Sequence, residues 1–247
     1  MTDPTYEPPN PGATTLSSIR PFHDVGDILG PTLKLFFRNF WLITKIVIVI
    51  VAPFEVFRIL NLENLPDNWQ LTVGVILLDH VCNVLVAPAL VYALMKVMQT
   101  GVAPGINESY RWGFSKLGKL ILCAALSLIL QALGYALCII PGIVIYLSLI
   151  VAYPIVILEN SSVTGALETS RDLTKGHRWN IFGASLVLGL VMAVPVGIVE
   201  ILAFATGGLW PLQVAAAILS DIFEQSLTVL SLVTYLSIRA LWSQSTQ

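Results

Sequence analysis

The stretch GALETSRDLTKGHRWNIFG, residues 165–183, sets six charged or titratable side chains into a chain that is otherwise apolar. The place of this segment decides the fold. At helical spacing Ala166, Ser170 and Leu173 share one face, with Leu167 beside it, while Glu168, Arg171, Asp172 and Lys175 point elsewhere. Thr164 can cap the start, Lys175 falls in the last turn, and Gly176 follows as a stop. The pattern predicts an amphipathic helix of about three turns lying in a membrane interface. Trp179 would then enter the bilayer at headgroup level, behind His177 and Arg178.

Composition supplies the bilayer. The 247 residues are 56% hydrophobic and 11% charged, with a mean hydropathy of +0.81. Soluble domains carry about 25% charged residues, so this chain has too few to cover a globular surface. A net charge of −2 argues against a nucleic-acid partner. Cys82, Cys123 and Cys138 lie in apolar runs with no ligand-like spacing, and no cofactor or metal is expected from them. Residues 1–20 are proline-rich, lack the apolar core of a signal peptide, and read as a mobile tail. Residues 21–247 read as a single membrane domain.

Six apolar runs are long enough to cross about 30 Å of hydrocarbon, at about 40–60, 70–98, 119–140, 141–159, 179–206 and 213–241. They are continuous rather than alternating, so the expected fold is all-α, with Pro141-Gly142 turning the third run into the fourth. With the N-terminus inside, all 13 lysines and arginines except Arg58 fall on or near the inner side. That bias places both termini in the cytoplasm of a bacterial cell, with the chain integral to the inner membrane. Three inner segments share one pattern: GDILGPTLKLFFRNFW (26–41), GINESYRWGFSKLGK (105–119) and GALETSRDLTKGHRW (165–179). Each starts with glycine, reads as a basic amphipathic helix of about 13–15 residues, and leads into an outbound span. Three repeats of interfacial helix plus transmembrane hairpin are the expected unit. Arg111, Lys116, Lys119, Arg171, Lys175 and Arg178 on these segments are candidates for contact with anionic membrane lipid.

The run IIPGIVIYLSLIVAYPIVILEN, followed by GALETSRDLTKGHRWNIFG, resembles the membrane domain of bacterial glycerophosphoryl diester phosphodiesterases and related six-span families of unknown role. The positions that carry the resemblance are Pro141, Gly142 and Ile143; then Pro154, Val156, Leu158 and Glu159; then Ala166, Leu167, Ser170, Leu173, Thr174, Lys175, Gly176 and Trp179. It covers about 139–190 and implies a fold rather than an activity. The phosphodiesterase itself is a separate soluble domain in the fused members of that family, so the activity is not carried over.

No G-x-S-x-G, H-E-x-x-H, P-loop or G-x-G-x-x-G pattern is present, and no catalytic residue is assigned. What stands out is a set of polar side chains inside the spans. Glu55 and Arg58 are three apart near the outer end of the first. Asp79, His80 and Asn83 lie about 14–20 Å into the second. Gln131 and Tyr135 share a face of the third. Glu200 is near the outer end of the fifth, and Asp221, Glu224 and Gln225 share a face of the sixth. An ionised group at that depth needs a partner, a proton or water.

Three readings compete. The polar groups can be hydrogen bonds between helices. They can line an outward path for a small molecule, ion or lipid, formed by Asp79, Asp221, Glu224 and Glu200. They can also be ligands of a metal-dependent hydrolase using Asp79, His80, Asp221 and Glu224, for which one histidine is thin support. Transport or binding is the reading favoured over a structural or assembly role. Gly189, Ala193 and Gly197, spaced by four, are expected to pack the fifth span closely and to turn Glu200 into the bundle. Pro53, Pro88, Pro154 and Pro195 are expected to kink their spans.

Overall fold

A chain this apolar has to satisfy its backbone internally, and helices do so segment by segment. The computed structural model describes residues 24–60, 69–206 and 209–245. The tail 1–20, most of the acidic connection after residue 60, and the His80 side chain lie outside the described residues. Among those described there are ten helices and no strand. They are α1 (Val25–Arg38), α2 (Phe40–Leu60), α3 (Trp69–Thr100), α4 (Ile106–Phe114), α5 (Leu117–Leu137), α6 (Ile139–Leu149), α7 (Ala152–Glu159), α8 (Val163–Thr174), α9 (Arg178–Ala205) and α10 (Trp210–Ser245). Six stretches are long and apolar enough to span a membrane: α2, α3, α5, the α6–α7 pair, α9 and α10. Each matches an expected run to within a few residues.

Local chemistry corrects several boundaries. The α5–α6 turn is made at Cys138, whose backbone is extended, and not at Pro141-Gly142. Pro141 instead occupies the first turn of α6, where a missing N–H costs nothing. Gly142 is needed for contact: a Cβ there would lie 2.2 Å from the Tyr135 ring, and one at Gly134 would lie 3.0 Å from the Gly142 Cα. Ser162, not Thr164, caps α8, its hydroxyl accepting from the Gly165 N–H at 3.2 Å. The stop at Gly176 holds, with φ +88°. The helix of the second inner segment is nine residues long, shorter than its pattern predicts.

The order short helix, long helix, long helix occurs three times, and its packing is regular. In the three long pairs the returning member is the more buried: 47% of the apolar window of α3, 56% for α6–α7 and 61% for α10, against 33%, 28% and 17% for α2, α5 and α9. The returning helices therefore form the interior. Each short helix packs on the pair that precedes it. α4 lies on α3, where Tyr92 stacks on Trp112 at 4.9 Å. α8 lies on α5, α6 and α7. α1 lies on α9 and α10, at the far end of the chain; Phe36 stacks on Phe223 at 5.9 Å, and Gly183 leaves the space that Val25 fills.

The fourth span is broken at Ile150–Val151, between α6 and α7. Pro154 has no N–H to give the Ile150 carbonyl, and Ser231 of α10 donates to it instead at 2.6 Å. The Ser148 carbonyl beside the break accepts from Ser170 of α8 at 2.8 Å. This is why Ser170 belongs to the buried face of the amphipathic helix. The helix does present the expected face: Ala166, Ser170 and Leu173 are buried, Leu167 is half-buried, and the four charged residues are exposed.

The expected packing stripe of α9 fails. Gly189 and Ala193 are exposed, and a Cβ at Gly189 or Gly197 would meet nothing within 4 Å. The packing stripe is Ile181, Ala184, Leu188 and Met192, one residue and so about 100° around the helix from Gly189 and Ala193. The helices α2, α3 and α9 are each continuous as helices through Pro53, Pro88 and Pro195, and the fourth span is interrupted just before Pro154.

Candidate functional site

Three helices bring acids together at the end of the bundle opposite the short helices. Glu55, on α2, is 2% exposed and is held by Arg58 one turn on. The Arg58 Nε donates to both Glu55 oxygens at 3.1 and 2.9 Å, and Nη2 donates to Oε2 at 2.5 Å. Asp79 comes from α3 and Asp221 from α10. One carboxylate oxygen from each of Glu55, Asp79 and Asp221 lies within 4.8 Å of the others. Asp221 is 8% exposed, and its Oδ2 is buried with no hydrogen-bond partner.

These residues line a cleft of about 520 Å³ between the α2–α3 and α9–α10 pairs. Glu200 and Ser220 also line it, the Ser220 hydroxyl donating to Glu200 at 3.4 Å. Val75, Ile76 and Phe204 supply apolar wall. Glu200 is exposed, so it edges the cleft rather than pointing into a packed bundle.

Glu224, Asn83 and Gln131 are not part of this cleft. They line a second cavity of about 220 Å³ among α3, α5, α6–α7 and α10, together with Tyr146, Tyr153 and Ser231. One helical turn separates the two spaces. The turn is closed by Gln225, which is 2% exposed and donates through Nε2 to Asn83 Oδ1 at 2.8 Å. Thr228 donates to the other end of the same amide at 3.1 Å. The expected single path therefore divides into two cavities, because Asp221 and Glu224 are three residues apart and face different neighbours.

Sequence reasoning did not place Glu55 and Arg58 in the site. The signal was an opposite-charge pair at i, i+3 in an apolar span, which reads as self-satisfied. The Arg58 fork engages both Glu55 oxygens, and the carboxylate still lies against Asp79 and Asp221.

The basic candidates separate as well. Arg111, Arg171 and Lys175 are exposed. Lys116 and Lys119 instead clamp Asn160, a residue in the left-handed region at φ 51°. Lys116 donates to its side-chain oxygen at 3.1 Å, and Lys119 to the same oxygen at 3.0 Å and to the backbone carbonyl at 2.9 Å. Burial and the neighbouring Lys119 push the Lys116 ammonium down from its usual value. Arg178 is half-buried, with Nε making no hydrogen bond. Beside Asn160, Glu159 accepts from Tyr235 at 2.7 Å and from Arg239, tying α7 to α10.

An all-helical chain with six membrane-length helices and an acidic cleft between two helix pairs is thus defined. Residues 72–243 match the model of a domain of unknown function, DUF7847, and the chain belongs to that family. The match includes Asp79 and Asp221 and begins after Glu55. No curated protein and no solved structure matches the chain.

Proposed function

We propose that this is an integral protein of the bacterial cytoplasmic membrane, with six spans and both termini inside, that binds and transports a small positively charged solute through its acidic cleft. The convergence of Glu55, Asp79 and Asp221 on one point carries this reading. Buried acids cost free energy in a bilayer, and three at one place with a single arginine favour a cationic guest. The lysine and arginine distribution supports a cleft on the outer face and α1, α4 and α8 on the inner one. Cyclic packing of each short helix on the preceding pair supports three repeats about an axis along the membrane normal. The resemblance to phosphodiesterase membrane domains accords with this architecture and adds no activity.

The Asn83–Gln225 bond favours a structural role for those two amides. Asp221 is not accounted for that way, since its Oδ2 has no partner.

Accessibility labelling tests the reading. In a chain with Cys82, Cys123 and Cys138 replaced by serine, Ser220→Cys should react in intact cells with an impermeant cationic methanethiosulfonate. The anionic counterpart should react about tenfold more slowly, as expected where a cleft concentrates one sign of charge. Gln70→Cys should label from outside and Lys175→Cys should not. Equal rates for the two reagents at residue 220 would remove the cationic reading, and reversed labelling at 70 and 175 would invert the topology.

A further inference from the structure

We propose that Glu55, Asp79 and Asp221 form a binding site for a divalent, oxygen-preferring metal cation of the Ca²⁺ and Mn²⁺ class. The inference rests on the cationic cleft and names the guest more narrowly. The sequence offers Asp79 and Asp221 as metal ligands only in a different set, with His80 and Glu224 and without Glu55, because the three acids come from α2, α3 and α10 and share no motif.

Geometry is the first argument. Three oxygens no more than 4.8 Å apart have a common point within about 2.8 Å of each, a few tenths beyond a Ca²⁺–oxygen bond of about 2.3–2.6 Å. A small rotation of any one side chain closes that gap. Donor type is the second. All three ligands are carboxylates, which suit hard cations and give little affinity for soft ones. Charge is the third. The ion pair that Arg58 makes is with Glu55, so the cluster of three acids keeps an excess of negative charge that suits a cation.

The fourth argument is independent of the clustering. Asp221 is more than nine-tenths buried, lines the cleft, and has an oxygen with no hydrogen-bond donor. Buried carboxylate oxygens normally have a donor. One without it, next to two further acids, is a ligand atom in want of a cation. Arg58 does not donate to it; its Nε and Nη2 are engaged with Glu55. The cleft, about 520 Å³, leaves room for the waters that complete a coordination sphere of six to eight oxygens.

The test uses the full chain purified in detergent at neutral pH, with Mn²⁺ as the probe followed by electron paramagnetic resonance and Ca²⁺ as competitor. One saturable Mn²⁺ site per chain is expected, displaced by Ca²⁺. Asp221→Asn and Asp79→Asn should each weaken it at least tenfold while remaining monodisperse. Glu168→Gln, an exposed acid on α8, should leave it unchanged. As a second readout that needs no acid variant, Mn²⁺ and Ca²⁺ should slow thiol labelling at Ser220→Cys. Absence of a saturable site, or a site indifferent to both aspartate variants, overturns the metal inference. If Ser220→Cys still favours the cationic reagent in that case, the cationic cleft stands without a metal; if that preference is also missing, both readings fall.

Discussion

The Ser231 hydroxyl donates to the Ile150 carbonyl at 2.6 Å, the very carbonyl that Pro154 leaves without its helical donor. A serine on the last helix thus completes the backbone of a broken one. Ser231→Ala should destabilise the detergent-solubilised protein by about 1–3 kcal/mol, the cost of orphaning a buried carbonyl. In a Pro154→Ala background, where residue 154 regains an N–H, the same substitution should cost measurably less. Thermal unfolding of the four proteins forms a double-mutant cycle. Equal costs in both backgrounds would mean that the Ile150 carbonyl is not the group Ser231 serves.

Glycines at different places in the bundle should respond in opposite ways. Gly142→Ala drives a methyl into the Tyr135 ring and should cost about 1–3 kcal/mol. Tyr135→Ala, added to it, should recover part of the loss, since the obstacle is a side chain. Gly189→Ala meets nothing within 4 Å and should be neutral or stabilising by up to about 1 kcal/mol through helix propensity. A large loss at Gly189 would show that α9 has a close neighbour after all.

The basic residues should divide by the contacts they make. Replacing exposed Arg171 and Lys175 with glutamine should weaken anionic-lipid association by about 2 kcal/mol, at roughly 1 kcal/mol per cation. The measure is phosphatidylglycerol retained per protein, read by native mass spectrometry. Replacing Lys116 and Lys119 should instead lower thermal stability, because both ammonium groups hold Asn160. Lipid loss from the second pair alone would reverse the assignment.

One ion pair at the α4 end of α3, whose acid Glu108 lies on α4 outside the spans, gives a pH dependence with a definite sign. Hydrogen bonds from Lys96 and then Tyr92 hold the Glu108 carboxyl below its usual value of 4.5. A depressed carboxylate stabilises the fold above its unfolded value, and that contribution is lost as pH falls through the lower folded one. The α3–α4 contact should therefore weaken only in acid below about pH 4.5. Glu108→Gln should lower the melting temperature slightly at neutral pH, where the contribution is fully present, and flatten the acid limb of the profile. The pair is largely exposed, so the effect is small.

The long apolar runs made the six membrane-length helices legible, since length and hydropathy need no knowledge of neighbours. The buried face of α8 was legible for the same reason: Ala166, Ser170 and Leu173 follow helical period. What escaped depended on contacts between distant segments. The spacing of Gly189, Ala193 and Gly197 describes a smooth face, and nothing local says that Ile181, Ala184 and Leu188 are the ones that are buried. Asp79 and Asp221 could be matched by depth, but depth does not fix rotation about the helix axis. Rotation is what carried Glu224 to a separate cavity and brought Glu55 in.

The seating of α1 on α9 and α10 has a consequence for synthesis. Phe36 leaves the ribosome early, and its stacking partner Phe223 follows about 190 residues later, a delay on the order of ten to forty seconds at cellular elongation rates. Throughout that interval the first helix has no final seat, and the ring of packing contacts stays open. A chain halted before its last helix thus displays the apolar face of α1, the signature by which proteolytic surveillance can tell an unfinished protein from a finished one.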